Sequence, residues 1–287
     1  MTNSNPSTKE INELLQKHSI HEHIVEVKQL SGTTAGRVFR LLASSGERYI
    51  LKWDDPEDIR VTCQFMNTYS EVMLLPKVLF MSSDNTYFAY SFMEGVTHNH
   101  RGAKKEWLTR LVKELLNTYV RLPDTRLWGR MGYPRETWRG FNQISIDEAR
   151  ENLGDVLTAE DYNLVQSTVN RLFHEDESER FLLHGDAGVH NIVFEQKELI
   201  GVIDPSPMVG PVLYDFLYAF CSSPDDLDPI LLWDVFGHLE QVTMDKFRLM
   251  EEALVHLYCR IGLSNKHHPQ DLPEYLEAWN LWKRYIT

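Results

Sequence analysis

Basic residues are in short supply: 29 Lys and Arg stand against 42 Asp and Glu, a formal net charge of −13. Neutralising a phosphate backbone takes clustered Lys and Arg, so nucleic acid is not an expected partner. The same imbalance suits a cationic small substrate. Cysteine is nearly absent. Cys63, Cys221 and Cys259 have neither the pairing nor the spacing of a disulfide framework or a zinc site, so a reducing compartment is expected. No apolar run approaches the roughly 20 residues that cross a bilayer. The opening "MTNSNPSTKE" lacks the basic and apolar regions of a signal peptide. No internal repeat or low-complexity segment occurs. A cytoplasmic chain with no membrane partner is the expectation.

What is present suits a globular protein: 287 residues, 43% of them hydrophobic and 25% charged, enough for one large domain or two lobes. Ser7 and Glu10 form a capping-box pattern before a short helix. "HIVEVKQL", "RVFRLLAS" and "RYILKW" are rich in β-branched and aromatic residues and read as strands. Asp55-Pro56 opens a helix to about Tyr69, and "LLPKVLFM" and "TYFAYSFME" read as two further strands. From "MEGVTHNHRG" onward the period is helical, with helices expected at about 104–119, at 145–153 behind a Ser145/Glu148 capping box, and at 158–174. Two short strands, "NIVFE" and "LIGVID", interrupt this pattern, and helices are expected to fill the remainder. The composition shift at Glu94–Gly95 predicts a strand-rich lobe, 1–94, and a helix-rich lobe, 95–287.

The stretch "FLLHGDAGVHNIVF" sets Asp186 and Asn191 between two apolar strands. Phosphoryl transfer uses such a pair: a carboxylate takes the proton of an attacking hydroxyl, and an amide oxygen helps to hold Mg²⁺. A hairpin of "NIVFE" with "LIGVID" brings Asp204 back beside Asn191, so both can serve the same cation through hard oxygen donors. Alone, D-x-x-x-x-N is a common capping pattern. His-Gly before it and apolar-Ile-Asp after it make it specific.

HGD-x-x-x-x-N followed by a hairpin and Ile-Asp resembles the aminoglycoside phosphotransferase/choline kinase-like family. The tail "IDPSPMVGPVLYDF" is similar to its streptomycin- and hydroxyurea-phosphotransferase-like branch. The resemblance implies an α+β, bilobal protein-kinase-like fold, with an antiparallel-sheet N-terminal lobe that binds nucleotide and a mainly helical C-terminal lobe. It implies an ATP- and Mg²⁺-dependent transfer of the γ-phosphoryl group to a hydroxyl of a small molecule. The acceptor would be an aminoglycoside-like antibiotic, an amino alcohol or a sugar-type metabolite. Asp186 would be the catalytic base, Asn191 and Asp204 the Mg²⁺ ligands, Asp215 a loop-ordering residue and His184 a scaffold of the loop. His190 receives no role. In "LSGTTAGRVFRL", Gly32, Thr33, Thr34 and Gly36 offer backbone N–H groups to phosphate oxygens. Lys52 in "YILKW" matches the strand lysine that contacts the α- and β-phosphates. The main chain of Phe92 and Met93, beside Ser91, would meet adenine. A helix Glu should hold Lys52 in place. Glu57 lies in the first helical turn, Gln64 nearer the middle, and Glu71 almost on the next strand. The pairing therefore uses Glu57 in an unusual register or is replaced.

Two alternatives come from other classes: a nucleotide-binding pseudokinase with a regulatory or scaffold role, and a metal-dependent hydrolase built on Asp186, His184 and His190. Weaker signals are His98 and His100 just past the hinge and Trp138, Arg139 and Phe141 in "YPRETWRGFNQIS", all candidates for the substrate. Trp279, Trp282 and Tyr285 have the spacing of core packing or of an aromatic wall. The acids of "PDDLDP" with Glu240, Asp245, Glu251 and Glu252 could bind amines.

Overall fold

The computed structural model describes residues 5–30, 36–174 and 179–286. The chain divides into two compact units, Met1–Glu94 and Gly95–Thr287. The first holds a helix α1 (Thr8–Lys17), three strands β1 (Ile24–Gln29), β2 (Arg37–Ala43) and β3 (Arg48–Trp53), a helix α2 (Pro56–Thr68), and two strands β4 (Val78–Met81) and β5 (Tyr87–Ser91). The Ser7/Glu10 capping box forms. Asp55 caps α2, with Pro56 at its first position. All strands pair antiparallel, in the order β1-β2-β3-β5-β4.

Strand alternation sorts the residues of β3. Tyr49, Leu51 and Trp53 pack with Ile11 and Leu15 of α1 and with Phe39, Leu41 and Ala89 in one buried cluster. Lys52, in register with Val38 and Phe88, takes the other face. Gly36 sits in the left-handed region at φ 74°, and a Cβ there would come within 2.3 Å of the Trp53 carbonyl oxygen. That approach requires glycine. Gly32, Thr33 and Thr34 lie outside the described residues.

The second unit holds β6 (Val96–Thr97), α3 (Lys104–Glu114), β7 (Gly129–Arg130), α4 (Trp138–Leu153), α5 (Ala159–Leu172), β8 (Phe181–Leu183), β9 (Ile192–Glu195), β10 (Glu198–Val202), β11 (Met208–Gly210), α6 (Leu213–Cys221), α7 (Pro229–Phe236), α8 (Lys246–His267) and α9 (Leu272–Ile286). Its strands form two small sheets, β10-β9-β6 and β7-β11-β8. The sequence patterns for β9 and β10 hold, while β11 interrupts the stretch expected to be helical throughout. The Ser145/Glu148 pattern is not a cap. Thr137 caps α4 by accepting the Gly140 N–H at 2.9 Å, and Ser145, mid-helix, donates to the Phe141 carbonyl at 3.0 Å. A local cap pattern cannot report a better cap eight residues upstream.

Trp279 and Trp282 of α9 are 1% exposed. Their indole N–H groups donate to Asp161 and to the Leu227 carbonyl. They are core, and Tyr285 is exposed, so no aromatic wall exists there. No helix of the described residues is long and apolar enough to cross a membrane.

Helices α4 and α8 touch closely where Gly262 meets Ala149. A Cβ on Gly262 would stand 2.8 Å from Ala149 Cα and carbonyl oxygen. Gly262→Val should therefore overpack this crossing and cost about 2–3 kcal/mol. A thermal melt should show a Tm lower by about 4–10 °C.

Candidate functional site

The second unit holds its polar centre in the loop between β8 and β9. Strand pairing of β8 with β11 fixes one end and pairing of β9 with β10 the other. Asn191 and Ile192 N–H groups both return to the Gly188 carbonyl, at 2.8 and 3.1 Å, so the loop folds back on itself. Gly185 has φ 78°, and a Cβ there would lie 2.1 Å from the Ser206 carbonyl oxygen.

Asp215 of α6 is fully buried and ties this loop down. Its carboxylate accepts the Gly185 N–H at 3.0 and 3.2 Å and the Tyr119 hydroxyl at 2.6 Å. The His184 N–H donates in turn to the Tyr119 hydroxyl at 3.2 Å. Burial raises the Asp215 carboxyl to about 6, against the pull of the Tyr119 and Gly185 donors. His184 is also fully buried; its Nδ1 accepts the Asp186 N–H and its Nε2 donates to the Ile203 carbonyl, each at 3.2 Å. Burial pulls its imidazole down to about 4, so it is neutral. With both ring nitrogens bonded, His184 is no metal ligand, and the hydrolase alternative loses one of its three residues.

Asp186 carries donors on both carboxylate oxygens. Tyr218 donates to Oδ1 at 2.5 Å, His190 Nε2 lies 3.1 Å from the same atom, and Asn191 Nδ2 donates to Oδ2 at 2.9 Å. Burial pushes this carboxyl up, but His190, Tyr218 and the Arg130 guanidinium outweigh it and hold it below the usual range. It is ionised at neutral pH. Arg130 also fastens the loop, with Nη1 donating to the Gly185 and Ser206 carbonyls at 2.7 and 2.8 Å.

Asn191 gives its amide hydrogens to the Asp186 carboxylate and carbonyl, which leaves the amide oxygen as the end directed elsewhere. The Ile203 N–H donates to the Asn191 carbonyl at 2.8 Å, continuing the β9–β10 ladder and setting Asp204 beside Asn191. Asp204 is exposed, with φ 53°. Asp186 and Asn191 are thus joined directly, Asp204 follows the residue bonded to the Asn191 carbonyl, and Asp186 and Asp204 both act on the buried His184. An amide oxygen and a carboxylate are hard donors, which fits Mg²⁺ and leaves room for waters and phosphate oxygens.

Asp186 also lines a cavity of about 650 Å³ built within this unit from α4, α6, α8 and the strand β7. Tyr214, Tyr218, His256 and Phe141 supply aromatic walls, and Arg130, Arg135 and Arg260 supply charge. Of the sequence candidates for substrate contact, Phe141 is in the lining. Trp138 is buried and stacks on Phe141, with ring centroids 4.8 Å apart, while Arg139 is exposed on α4. Of the expected amine-binding acids, Asp225 pairs with Arg101, Asp228 caps α7, Asp245 caps α8, Glu251 pairs with Arg171 and Glu252 with Arg248, while Asp226 and Glu240 are exposed and outside the cavity lining. His98 stands near His190 and His268, with ring centroids 6.2 and 6.4 Å apart.

In the first unit, Lys52 Nζ lies 3.3 Å from Asp54 Oδ2, both side chains being largely buried. Glu57 instead holds Arg60 through two contacts of 2.5 and 2.8 Å. Lys52 thus has an acid two residues along the same strand end among its contacts, and Glu57 is engaged with Arg60. Asp58, in the first turn of α2, also feels the Lys52 charge. The Phe92 N–H is spent on the Arg48 carbonyl at 3.2 Å, so only its carbonyl remains for a ligand.

A model of the phosphotransferase enzyme family matches residues 26–250. The chain belongs to this family. Solved structures agree in fold. A Thermobifida fusca YX-ER1 protein assigned as a fructosamine-3-kinase is 16% identical, covering 97% of this chain and 100% of that one, at TM-score 0.60. Aminoglycoside phosphotransferase APH(4)-Ia is 18% identical over 96% and 98%, at 0.61. Macrolide 2'-phosphotransferase MphH from Brachybacterium faecium is 13% identical over 95% and 97%, at 0.59. A mutant of APH(4)-Ia, 20% identical over 96% and 97% at TM-score 0.58, is a ternary complex with AMP-PNP and hygromycin B. No curated protein matches the sequence. The fold is the protein-kinase-like α+β fold expected from the HGD-x-x-x-x-N motif.

The raised Asp215 carboxyl makes a stability prediction. The folded chain holds that proton more tightly than the unfolded chain, so this contribution is complete below about pH 4 and is lost as pH rises through 6. In denaturant titrations, wild type measured against Asp215→Asn should lose about 2–3 kcal/mol between pH 4 and 7.

Proposed function

We propose that this protein transfers the γ-phosphoryl group of Mg²⁺·ATP to a hydroxyl of a small molecule. The observation that carries the reading is an ionised Asp186, held by three donors, on the wall of a cavity large enough for a small acceptor. Asp186 accepts the hydroxyl proton as the acceptor oxygen bonds to the γ-phosphorus and the bond to the departing ADP oxygen breaks. Asn191 steers the carboxylate through its amide hydrogens and keeps its oxygen for the metal, with Asp204 as the second ligand. Bound Mg²⁺ would neutralise charge on the phosphates. Lys52, steadied by Asp54, and the backbone around Gly36 would hold the phosphate chain, while Met93 and the Phe92 carbonyl would meet the base. The work is mainly positioning and charge stabilisation, because a loose transition state needs little covalent help. The tail "IDPSPMVGPVLYDF" supports placement near the streptomycin- and hydroxyurea-phosphotransferase-like branch.

ADP release with Mg²⁺·ATP across hydroxylated small molecules tests the reading. Asp186→Asn should reduce turnover by about 10²–10⁴-fold, with ATP-dependent thermal stabilisation kept. Undiminished ADP release in Asp186→Asn, or none in wild type despite Mg²⁺-dependent ATP binding, would sink it; the latter outcome is what a pseudokinase gives.

A second measurement addresses the lysine. Asp54→Asn should raise the KM for ATP by about tenfold, the worth of roughly 1.4 kcal/mol, whereas Glu57→Gln should leave it within about twofold. The reverse pattern would restore Glu57 as the partner.

A further inference from the structure

We propose that the acceptor itself carries an anionic group, a carboxylate or its equivalent, seated on Arg260 beside an aromatic or similarly flat body. The proposal rests on the phosphotransfer reading above for the word acceptor, but its evidence is the cavity's own charge and shape.

Three guanidinium groups line this cavity, Arg130, Arg135 and Arg260, against two carboxylates, Asp186 and Glu148. Asp186 is the proton acceptor and already feels Arg130. Glu148 is exposed on α4. Arg130 is tied to the Gly185 and Ser206 carbonyls. Arg135 and Arg260 are the charges left over, and Arg260 of α8 has an anchored guanidinium. Its Nε donates to the Tyr275 hydroxyl at 3.0 Å, and that hydroxyl donates onward to the Cys221 carbonyl at 2.9 Å. The groups that act most on Arg260 are Tyr275, Tyr218 and Cys221, none of them a carboxylate. Among the described residues no ion pair engages Arg130, Arg135 or Arg260.

A guanidinium drawn away from water without an acid is costly, and one whose Nε is pinned presents a fixed pair of terminal amino groups. A ligand carboxylate meets that fork with two parallel charge-assisted bonds. A polycation would face the opposite sign here, with Glu148 as its one acidic contact apart from the base. None of the acids expected to bind amines lines this cavity. Tyr214, Tyr218 and Phe141 give flat faces on which an aromatic body stacks. Tyr218 joins the two ends of the site, bonding Asp186 while neighbouring Arg260.

The probes are three compounds with one ring and one hydroxyl but different charge: 4-hydroxyphenylacetate, 4-hydroxyphenylacetamide and tyramine. Binding to the full chain without nucleotide is measured by titration calorimetry, and ADP release with Mg²⁺·ATP is measured separately. The acetate should bind at least tenfold more tightly than the amide, and tyramine most weakly. Arg260→Gln should collapse the acetate-to-amide ratio to within about twofold, and Arg260→Lys should keep part of it. Tighter tyramine binding, no binding of any probe, or a ratio unchanged in Arg260→Gln overturns the proposal. Should the Arg260 variants fail to fold, the wild-type order of the three probes decides. An equal loss of turnover on all acceptors in Arg260→Gln, with the binding ratio intact, would assign Arg260 to the transferred phosphoryl group and overturn it too. Acetate binding without any ADP release, by contrast, would count against phosphotransfer and leave the anion site standing.

Discussion

Asp215 is the point on which the second unit's chemistry hangs. A carboxylate with no exposure to water is expensive unless donors surround it. Here the donors are the backbone of Gly185 and the hydroxyl of Tyr119, which also receives the His184 N–H. Three distant segments, the end of the α3 region, the β8–β9 loop and α6, are thus knitted by one buried charge. Satisfying that charge fixes the backbone at 184–186, and this backbone aims Asp186. The left-handed Gly185 belongs to the same constraint, since a side chain there would strike the Ser206 carbonyl and dislodge the loop from its clamp on Arg130.

The dressing of Asp186 shows what kind of base it would be in the proposed reaction. Burial alone would make the carboxyl more basic and better matched to neutral pH. His190, Tyr218 and Arg130 push the other way and win. A carboxylate so well supplied with donors is a weak proton acceptor and a precise one. That suits a reaction whose transition state is loose, where the nucleophile needs orientation more than early deprotonation.

The local part of this arrangement is legible in the sequence. Asp186, Asn191 and Asp204 lie within one loop and one hairpin, whose geometry follows from the flanking apolar strands. His190 stood in the same motif and was given a role only in the hydrolase alternative, so its contact with Asp186 came from the structure. Arg130 was not legible, because it reaches Gly185 from 55 residues upstream through the β7–β11 pairing. Tyr218 and Arg260 arrive on helices whose apolar pattern reads only as core. Asp54 escaped for the opposite reason. A partner of Lys52 was sought in and just after α2, while the end of β3 already carried an acid two residues away. Ser145 misled because a capping pattern inside a helix is indistinguishable from one at its start.

Charge shows the same division between what composition reports and what a site decides. The formal −13 is spread over a surface where salt screens interactions beyond about 8–10 Å. It governs solubility and the approach of ions. Within a cavity walled by Tyr214, Tyr218 and Phe141, the nearest charges act through little water and are felt far more strongly. Those nearest charges are three arginines against Asp186 and Glu148. A chain acidic overall can therefore hold a ligand by a positive group, and under the anion-site proposal a preference for cations read from the sum of charges inverts at Arg260.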